Sequence, residues 1–326
     1  SFYLHTNHLI EASMAFIDNL KTKYLPKDFF VSTSNFFQPV FDCYLANSKS
    51  EIRKAQRLRY KIFFNERNGQ KIFNLSSFKR DADKFDKYSD HIIVTFKASK
   101  FSKTKIVGTY RLLQQKVALQ QCGFYSSEEF NLNTLYKSQD RPQNGLELSR
   151  SCVSQQFRKK NVLHLMWSKI NEYVQHNKND VLFGMASFLE ENPNVIKEEL
   201  SYLYQKFLMP ENIRVDAIFS KKTEMNLVPT EGMSDLSIIK KLPPLIKAYL
   251  RLGAKIGDGA VVDRLFKTTD VFIYLPFNTI KPEYLKKFSL IKSPHVHKKS
   301  REQFESLTHN KILYVEGSKL NVEKII

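Results

Sequence analysis

The chain has 326 residues, 42% of them hydrophobic with 26 Phe and 15 Tyr, so it can bury a sizeable core and global disorder is excluded. Its 51 Lys and Arg against 33 Asp and Glu leave a formal charge of +18, a field that draws anionic partners: nucleic acid, an acidic membrane face or an acidic carrier protein. Cys43, Cys122 and Cys152 form neither an even set nor a metal-ligand pattern, no apolar run reaches the ~18 residues of a membrane span, and no basic-then-apolar leader opens the chain; a cytoplasmic protein, soluble or peripheral, is expected.

An amphipathic stretch, "HLIEASMAFIDNLKTKYL", ends at Pro26 and predicts a helical N-terminal extension over residues 1–39. "FDCYLA" (41–46) predicts a short strand. Ser48 with Glu51 three positions on makes a capping box for the next helix, "EIRKAQRLRYKIFFNE". Its apolar stripe runs Ile52, Ala55, Leu58, Ile62 and Phe63, with Arg53, Lys54, Arg57 and Lys61 off it. "HIIVTFK" (91–97) and "KIVGTYRLL" (105–113) predict a hairpin. "GLELSRSCV" predicts a buried strand holding Glu147 and Arg150. "NVLHLMWSKINEYVQHN" predicts a helix with Val162, Met166, Ile170 and Tyr173 inward, and "VLFGMASF" (181–188) another buried strand. Residues 189–241 are polar and mixed and give no firm pattern. Then come a helix, "PPLIKAYLRLG", a turn at "GDG" (257–259) separating helix from strand, and two strands, "GAVVD" and "DVFIYLP". The tail 291–326, with "HVHKKSREQF", reads as a basic extension. Alternating strands and helices over 40–290 make an α/β domain.

Metal chemistry finds little support: His295 and His297 alternate in a polar tail without a Cys or carboxylate cluster, so no metal site is expected. Ser151 and Cys152 lie on a strand, not at a Gly-flanked nucleophile elbow. The segment "QQFRKKNVLHL" sits between strand and helix, where free N–H groups favour an anion, and Arg158, Lys159 and Lys160 add charge; without Gly it matches no Walker or dinucleotide loop. Glu147 and Arg150 pose a parity problem. Three residues apart, they face opposite sides of a regular strand and share a face only across a bulge. A carboxylate in a cleft can serve as base toward an amine, and an Arg can grip a carboxylate; equally, the two can form a buried pair that satisfies itself. The residues alone leave both readings open.

Seven motifs follow one another in order: "RLRYKIFFNE", "DADKFDKYSDHIIV", "IVGTYRLL", "GFYSSEEFNL", "LELSRSCV", "LFGMASF" and "LPPLIKAYLRLGAKIGDGAVVDRLFKTTDVFIYLP". Together, over residues 40 to 288, they resemble the ornithine–acyl carrier protein N-acyltransferases, which belong to the GNAT superfamily and are distantly similar to acyl-homoserine-lactone synthases. The resemblance implies a GNAT-like mixed, V-splayed twisted sheet flanked by helices, with a bulge in the Glu147/Arg150 strand. It implies transfer of a (3-hydroxy)acyl chain from the phosphopantetheine thioester of acyl carrier protein to the α-amine of ornithine, with no tightly bound cofactor and no covalent enzyme intermediate. The roles it implies are Glu147 as general base with Arg150 beside it; Arg59, Asp83, Asp86, Arg111 and Ser149 as acceptor-binding or loop-ordering residues; and Arg158, Lys159 and Lys160 as partners of the donor phosphate. An acidic carrier suits the +18 charge, and a lipid product suits an anionic membrane surface as second partner. Coenzyme A as donor, another amino acid as acceptor, or a homoserine-lactone product are the alternatives within the same chemistry. A non-enzymatic binder of nucleic acid or membrane is a third, but the cations are spread over many helices and form no recognition module, so nucleic acid is not an expected partner.

Overall fold

The computed structural model describes residues 39–66, 79–136, 144–158, 161–232 and 234–290. The expected N-terminal helix and the basic tail therefore fall outside the described residues. Two compact units divide the chain, one of residues 1–40 and 96–105 and a larger one of 41–95 and 106–326. The site described below lies within the larger.

Strand β1 (Val40–Leu45) leads into helix α1 (Lys49–Tyr60). Ser48 caps α1 by accepting from the Glu51 amide at 3.2 Å, one half of the predicted capping box; the Glu51 carboxylate accepts from the Asn47 amide at 2.9 Å and not from that of Ser48. The predicted stripe is only partly the buried one. Ala55, Gln56, Arg59 and Tyr60 face inward, and a π-helical continuation over Lys61–Glu66 then turns Ile62, Phe63 and Phe64 into the core. Polar Gln56 and Arg59 thus share an ordinary helical face with Ala55, Tyr60 and Phe63, while Ile52 and Leu58 are only half-buried.

Strands β2 (Asp90–Lys97) and β3 (Lys105–Gln114) neighbour each other, as the hairpin reading expects. After α2 (Gln115–Gln121) and a 3-10 turn over Tyr125–Glu128 comes the two-residue strand β4 (Phe130–Asn131). Strand β5 (Gly145–Val153) is followed by α3 (Val162–Asn177), whose Val162, Met166, Ile170 and Tyr173 are all buried, and by β6 (Val181–Phe188). The unpatterned stretch 189–241 folds into α4 (Lys197–Phe207), the two-residue strands β7 (Asp216–Ala217) and β8 (Lys222–Thr223), and α5 (Asp235–Lys241). Helix α6 (Pro244–Arg251), β9 (Lys255–Asp263), β10 (Thr268–Pro276) and α7 (Pro282–Leu290) complete the described chain.

One sheet runs in the order β1-β2-β3-β5-β6-β10-β9-β7-β4, with β8 on β9. It is mixed: β5 runs parallel to β6, while β3–β5 and β6–β10 are antiparallel. Aromatic rings fill one core region, with Phe124 edge-on to Phe183 at 5.0 Å and Phe130 and Phe272 tilted against each other at 5.6 Å. The "GDG" reading needs correction. Helix α6 ends before left-handed Gly253, and Gly257, Asp258 and Gly259 lie inside β9. Ile256 opposes Ile273 and Ala260 opposes Val271, so β9 carries extra residues there and bulges. Gly257 is required because a Cβ would stand 2.7 Å from the Val215 carbonyl oxygen. Glycine marks close backbone approach here, not chain reversal.

Candidate active site

The register of β3 against β5 solves the parity problem. Thr109 opposes Cys152 and Arg111 opposes Ser149, so β5 spends one residue more than β3 between these pairs. Arg150, at φ 54°, takes the left-handed conformation that this bulge needs. On its other edge β5 pairs with β6 only at Gly145–Val181, Leu146–Leu182 and Glu147–Phe183, and beyond these the two strands part. Gly184 sits at the fork, where a Cβ would collide with the Leu148 carbonyl oxygen. A cavity of about 340 Å³ opens there, lined by Leu148–Val153 of β5, Met185–Ser187 of β6, Phe63, Phe266 and Asp270 among others. This is the V expected from the resemblance.

Beneath the bulge lies a buried ion network. Arg59, 0% exposed, reaches Asp81 at 2.9 Å and Asp86 at 2.7 Å. Arg111 meets Asp83 at 2.5 Å and Asp86 at 3.3 Å, and its Nε donates to the Ser149 hydroxyl at 2.9 Å. Arg150 contacts Asp81 at 3.2 Å and Asp83 at 3.3 Å and donates to the Tyr125 hydroxyl at 2.8 Å. Its guanidinium lies over the rings of Tyr125 and Phe266, at 4.4 and 4.8 Å. Asp83 and Asp86 also form a capping box on the 3-10 turn Lys84–Lys87. At Arg59, Asp83 and Asp86 burial works against the charge, but the partners outweigh it. Arg59 between Asp81 and Asp86 is held above its ordinary range, and Asp86 beside Arg59 and Arg111 well below the carboxylate range. Asp83 is lowered in the same way by Arg111 and Arg150. His91, buried against the same network with Nε2 3.0 Å from the Asp86 carbonyl oxygen, is pushed down to about 4 by burial and then by Arg59. Arg59, Asp83, Asp86, Arg111, Ser149 and Arg150 are thus brought together, and of the two readings weighed for them the geometry favours loop-ordering. Asp81, two residues before Asp83 in the same acidic loop, completes the set and was missed in the sequence.

Both oxygens of Glu147 are taken up by a neighbouring turn. The residue is 0% exposed, it is not among the residues lining the cavity, and its two oxygens accept the Tyr125 amide at 3.0 Å and the Ser126 amide at 2.7 Å. Burial raises its pKa, and those hydrogen bonds offset part of the rise. This geometry lends the expected general-base role no support. The carboxylate pins the 3-10 turn that carries Tyr125 onto Arg150, so it shapes the site without reaching it. Nothing in "GLELSRSCV" distinguishes a carboxylate aimed at substrate from one aimed at a neighbouring turn.

Arg158 stands at the cavity's edge. It bonds Glu66 at 2.7 Å and the Val153 carbonyl oxygen at 3.1 Å, just before α3, with its side chain 41% exposed. Lys159 and Lys160 lie outside the described residues, as do His295 and His297. A second set of acids went unnoticed in the sequence. Glu129, Asp263 and Asp270 bring one carboxylate oxygen each to within 4.8 Å of one another, and among the described residues they are the group with metal-ligand spacing. Among the described residues no helix is long and apolar enough to cross a membrane.

Residues 58–168, from α1 through the bulge into α3, match the acetyltransferase (GNAT) domain model. The L-ornithine N(alpha)-acyltransferase of Brucella abortus (strain 2308) is 40% identical over 243 residues, 74% of this chain and 86% of that protein. That of Rhizobium meliloti (strain 1021) is 39% identical over 246 residues, covering 74% and 81%. Among solved structures, the acyl-homoserine-lactone synthase LasI aligns at 11% identity and a TM-score of 0.40 over 78% of this chain and 98% of its own. Residues 265–326 match a different model, ribosomal protein S10p/S20e. Over 45 residues, 14% of this chain and 39% of that protein, the small ribosomal subunit protein uS10m of Reclinomonas americana is 44% identical.

Proposed function

The chain belongs to the L-ornithine N(alpha)-acyltransferase family, and from that premise we propose that it transfers a 3-hydroxyacyl chain from acyl carrier protein to the α-amine of ornithine, giving lyso-ornithine lipid. The observation that supports this reading best is the parting of β5 from β6 beside a bulge, with a cavity of about 340 Å³ between them. A thin thioester arm fits such a groove, and the apolar lining from Phe63, Leu163, Leu245 and Phe266 suits its acyl end.

The transfer is direct. The amine nitrogen attacks the thioester carbon, the C–N bond forms, the C–S bond breaks, and the proton shed by nitrogen balances the one the departing thiolate takes up. Main-chain N–H groups at the Ser149–Ser151 bulge are the natural donors to the oxyanion, each worth ~3 kcal/mol in such a role. Arg59, Arg111 and Arg150 with Asp81, Asp83 and Asp86 act as positioning residues that hold the bulge and its flanking turn, and Glu147 fixes that turn from behind. Arg158, with Lys159 and Lys160 following it in sequence, is assigned to the donor phosphate. The +18 charge steers an acidic carrier toward this face and suits peripheral attachment to the inner, anionic membrane surface from the cytoplasm.

The test is reconstitution: purified chain, acyl carrier thioesters and coenzyme A thioesters of several lengths, and a panel of free amino acids, read by mass spectrometry. An N-acyl-ornithine made from the carrier-bound donor is the expected product. A preference for coenzyme A, a different acceptor or a lactone product would overturn the assignment at the corresponding step.

A further inference from the structure

Asp270, on β10, reaches the cavity, and Glu129 and Asp263 gather behind it from the end of the 3-10 turn before β4 and from the end of β9. Asp270 is 5% exposed and Glu129 9%. One oxygen of each, Asp270 Oδ1 and Glu129 Oε2, is buried with no hydrogen-bond partner among the described residues. Asp263 is aimed by its own turn, its Oδ1 accepting the Leu265 and Phe266 amides at 2.8 and 3.1 Å. No cation among the described residues forms an ion pair with any of the three; Arg150 and Lys221 act on them only at longer range. Buried oxygens without donors are rare because each costs a desolvation penalty that nothing offsets. Burial, then Asp270 and Asp263, push the Glu129 carboxyl up to about 8, and burial, opposed by the Ser187 and Thr268 hydroxyls and then aided by Asp263, puts Asp270 at about 6. In the free protein a proton relieves such a cluster, and a bound cation can take that proton's place.

The geometry points to a ligand: we propose that Glu129, Asp263 and Asp270 are the seat of the acceptor's side-chain ammonium, and that this seat selects a diamino acid and directs acylation to the α-nitrogen. The inference deepens the amino-acid acceptor reading above and rests on it. An ammonium offers three N–H donors in a tetrahedral spread, which at ~2.8 Å sets its acceptors ~4.6 Å apart, compatible with the spacing here. An ammonium locked among carboxylates stays protonated and cannot attack. The α-amine, three methylenes away, is left to reach the bulge, so side-chain length decides whether it meets the thioester carbon.

The experiment compares ornithine with norvaline, which lacks the terminal nitrogen, and with lysine, one methylene longer, using the full chain and a carrier-bound acyl donor. Wild type is expected to favour ornithine over norvaline by ~100-fold or more in kcat/KM, since a site built for a polar group rejects the analogue lacking it, and over lysine by ~10-fold. Glu129→Gln and Asp270→Asn should each raise the ornithine KM ~10-fold or more and collapse the ornithine-to-norvaline ratio toward unity. Urea midpoints confirm that the variants fold, and Asp263→Asn replaces either that does not. Equal use of ornithine and norvaline by wild type, or an unchanged ornithine KM in Glu129→Gln, overturns the seat. A wild type that acylates no amino acid instead sinks the functional reading. In that case the seat is judged by melting temperature, which ornithine must raise in wild type, norvaline must not, and Asp270→Asn must abolish. Calorimetric titration with Mn²⁺ closes the remaining arm: saturable binding lost in Asp270→Asn and undisturbed by ornithine would assign the cluster to an inorganic cation and overturn the proposal.

Discussion

Two buried charge clusters flank the same cavity and are built on opposite principles. Around Arg59, Arg111 and Arg150 each charge meets an opposite one, and Asp81, Asp83 and Asp86 are tied to guanidinium groups at 2.5 to 3.3 Å. Around Glu129, Asp263 and Asp270 all the charges have one sign, and two buried oxygens face no donor among the described residues. A paired cluster is complete in the free protein and holds architecture. An unpaired one raises its own pKa values and is relieved by binding. Residues of the same chemical type, within one site, thus divide into those that hold the framework and those that await a guest.

The contrast breaks most visibly with pH. Asp83 and Asp86, held below the ordinary carboxylate value of ~3.9, contribute stability that is present above about that pH and lost as pH falls through their lower folded values. His91, held at about 4 against an ordinary ~6.5, adds a contribution lost as pH falls between those two values. Glu129 at about 8 and Asp270 at about 6 work the other way: the fold favours their protonated forms, so their contribution is full at low pH and lost as pH rises through 6 and then 8. These are the groups that Asp263, Lys221 and Arg150 face. Urea midpoints should therefore fall on both sides of a mildly acidic maximum, and ornithine should flatten the alkaline side alone.

Arg59→Met strips the paired cluster of its central cation and leaves Asp81 and Asp86 buried together. A loss of ~3–5 kcal/mol in urea denaturation is expected, and a loss under ~1 would mean the network is not structural. Glu147→Gln keeps the shape but sets an NH₂ against the Tyr125 or Ser126 amide, for a smaller loss of ~1–3 kcal/mol. Activity should fall in step with the loosened turn while the pH–rate profile keeps its midpoints; an unchanged melting temperature with a flattened profile would restore Glu147 as base. Arg158→Ala, at the exposed rim, should shift stability by ~0.5 kcal/mol or less. Its signature is a carrier-protein KM several-fold higher at low salt, converging with wild type as salt screens the charge.

Much of this arrangement is legible in the sequence where the signal is local. The stripe Val162, Met166, Ile170, Tyr173 names the buried face of α3, and the three-residue offset of Glu147 and Arg150 already demands a bulge for the two to share a face. What fails is set by distant partners. "GDG" reads as a turn because Gly is the commonest turn residue, yet its meaning comes from the Val215 carbonyl pressing on Gly257. The strands at Asp216 and Lys222 exist because β9 offers them an edge, which no local pattern records. Glu129, Asp263 and Asp270 come from three separate segments, and only the closing of β9 onto β10 unites two of them. Asp81 was within reach, since "DADKFD" offers three acids to three arginines.

The early divergence of β5 and β6 has a consequence for donor choice. Past Glu147 and Phe183 each strand shows the other a main-chain edge with no ladder between them, so the sheet is left unfinished inside the molecule. Under the proposed function the donor's pantetheine arm, itself amide-bearing and extended, would lie in that gap in place of a missing strand. Grip of this sort would depend on the linker and not on the fatty tail, so the proposal expects acyl chains of different lengths to be accepted on one and the same handle.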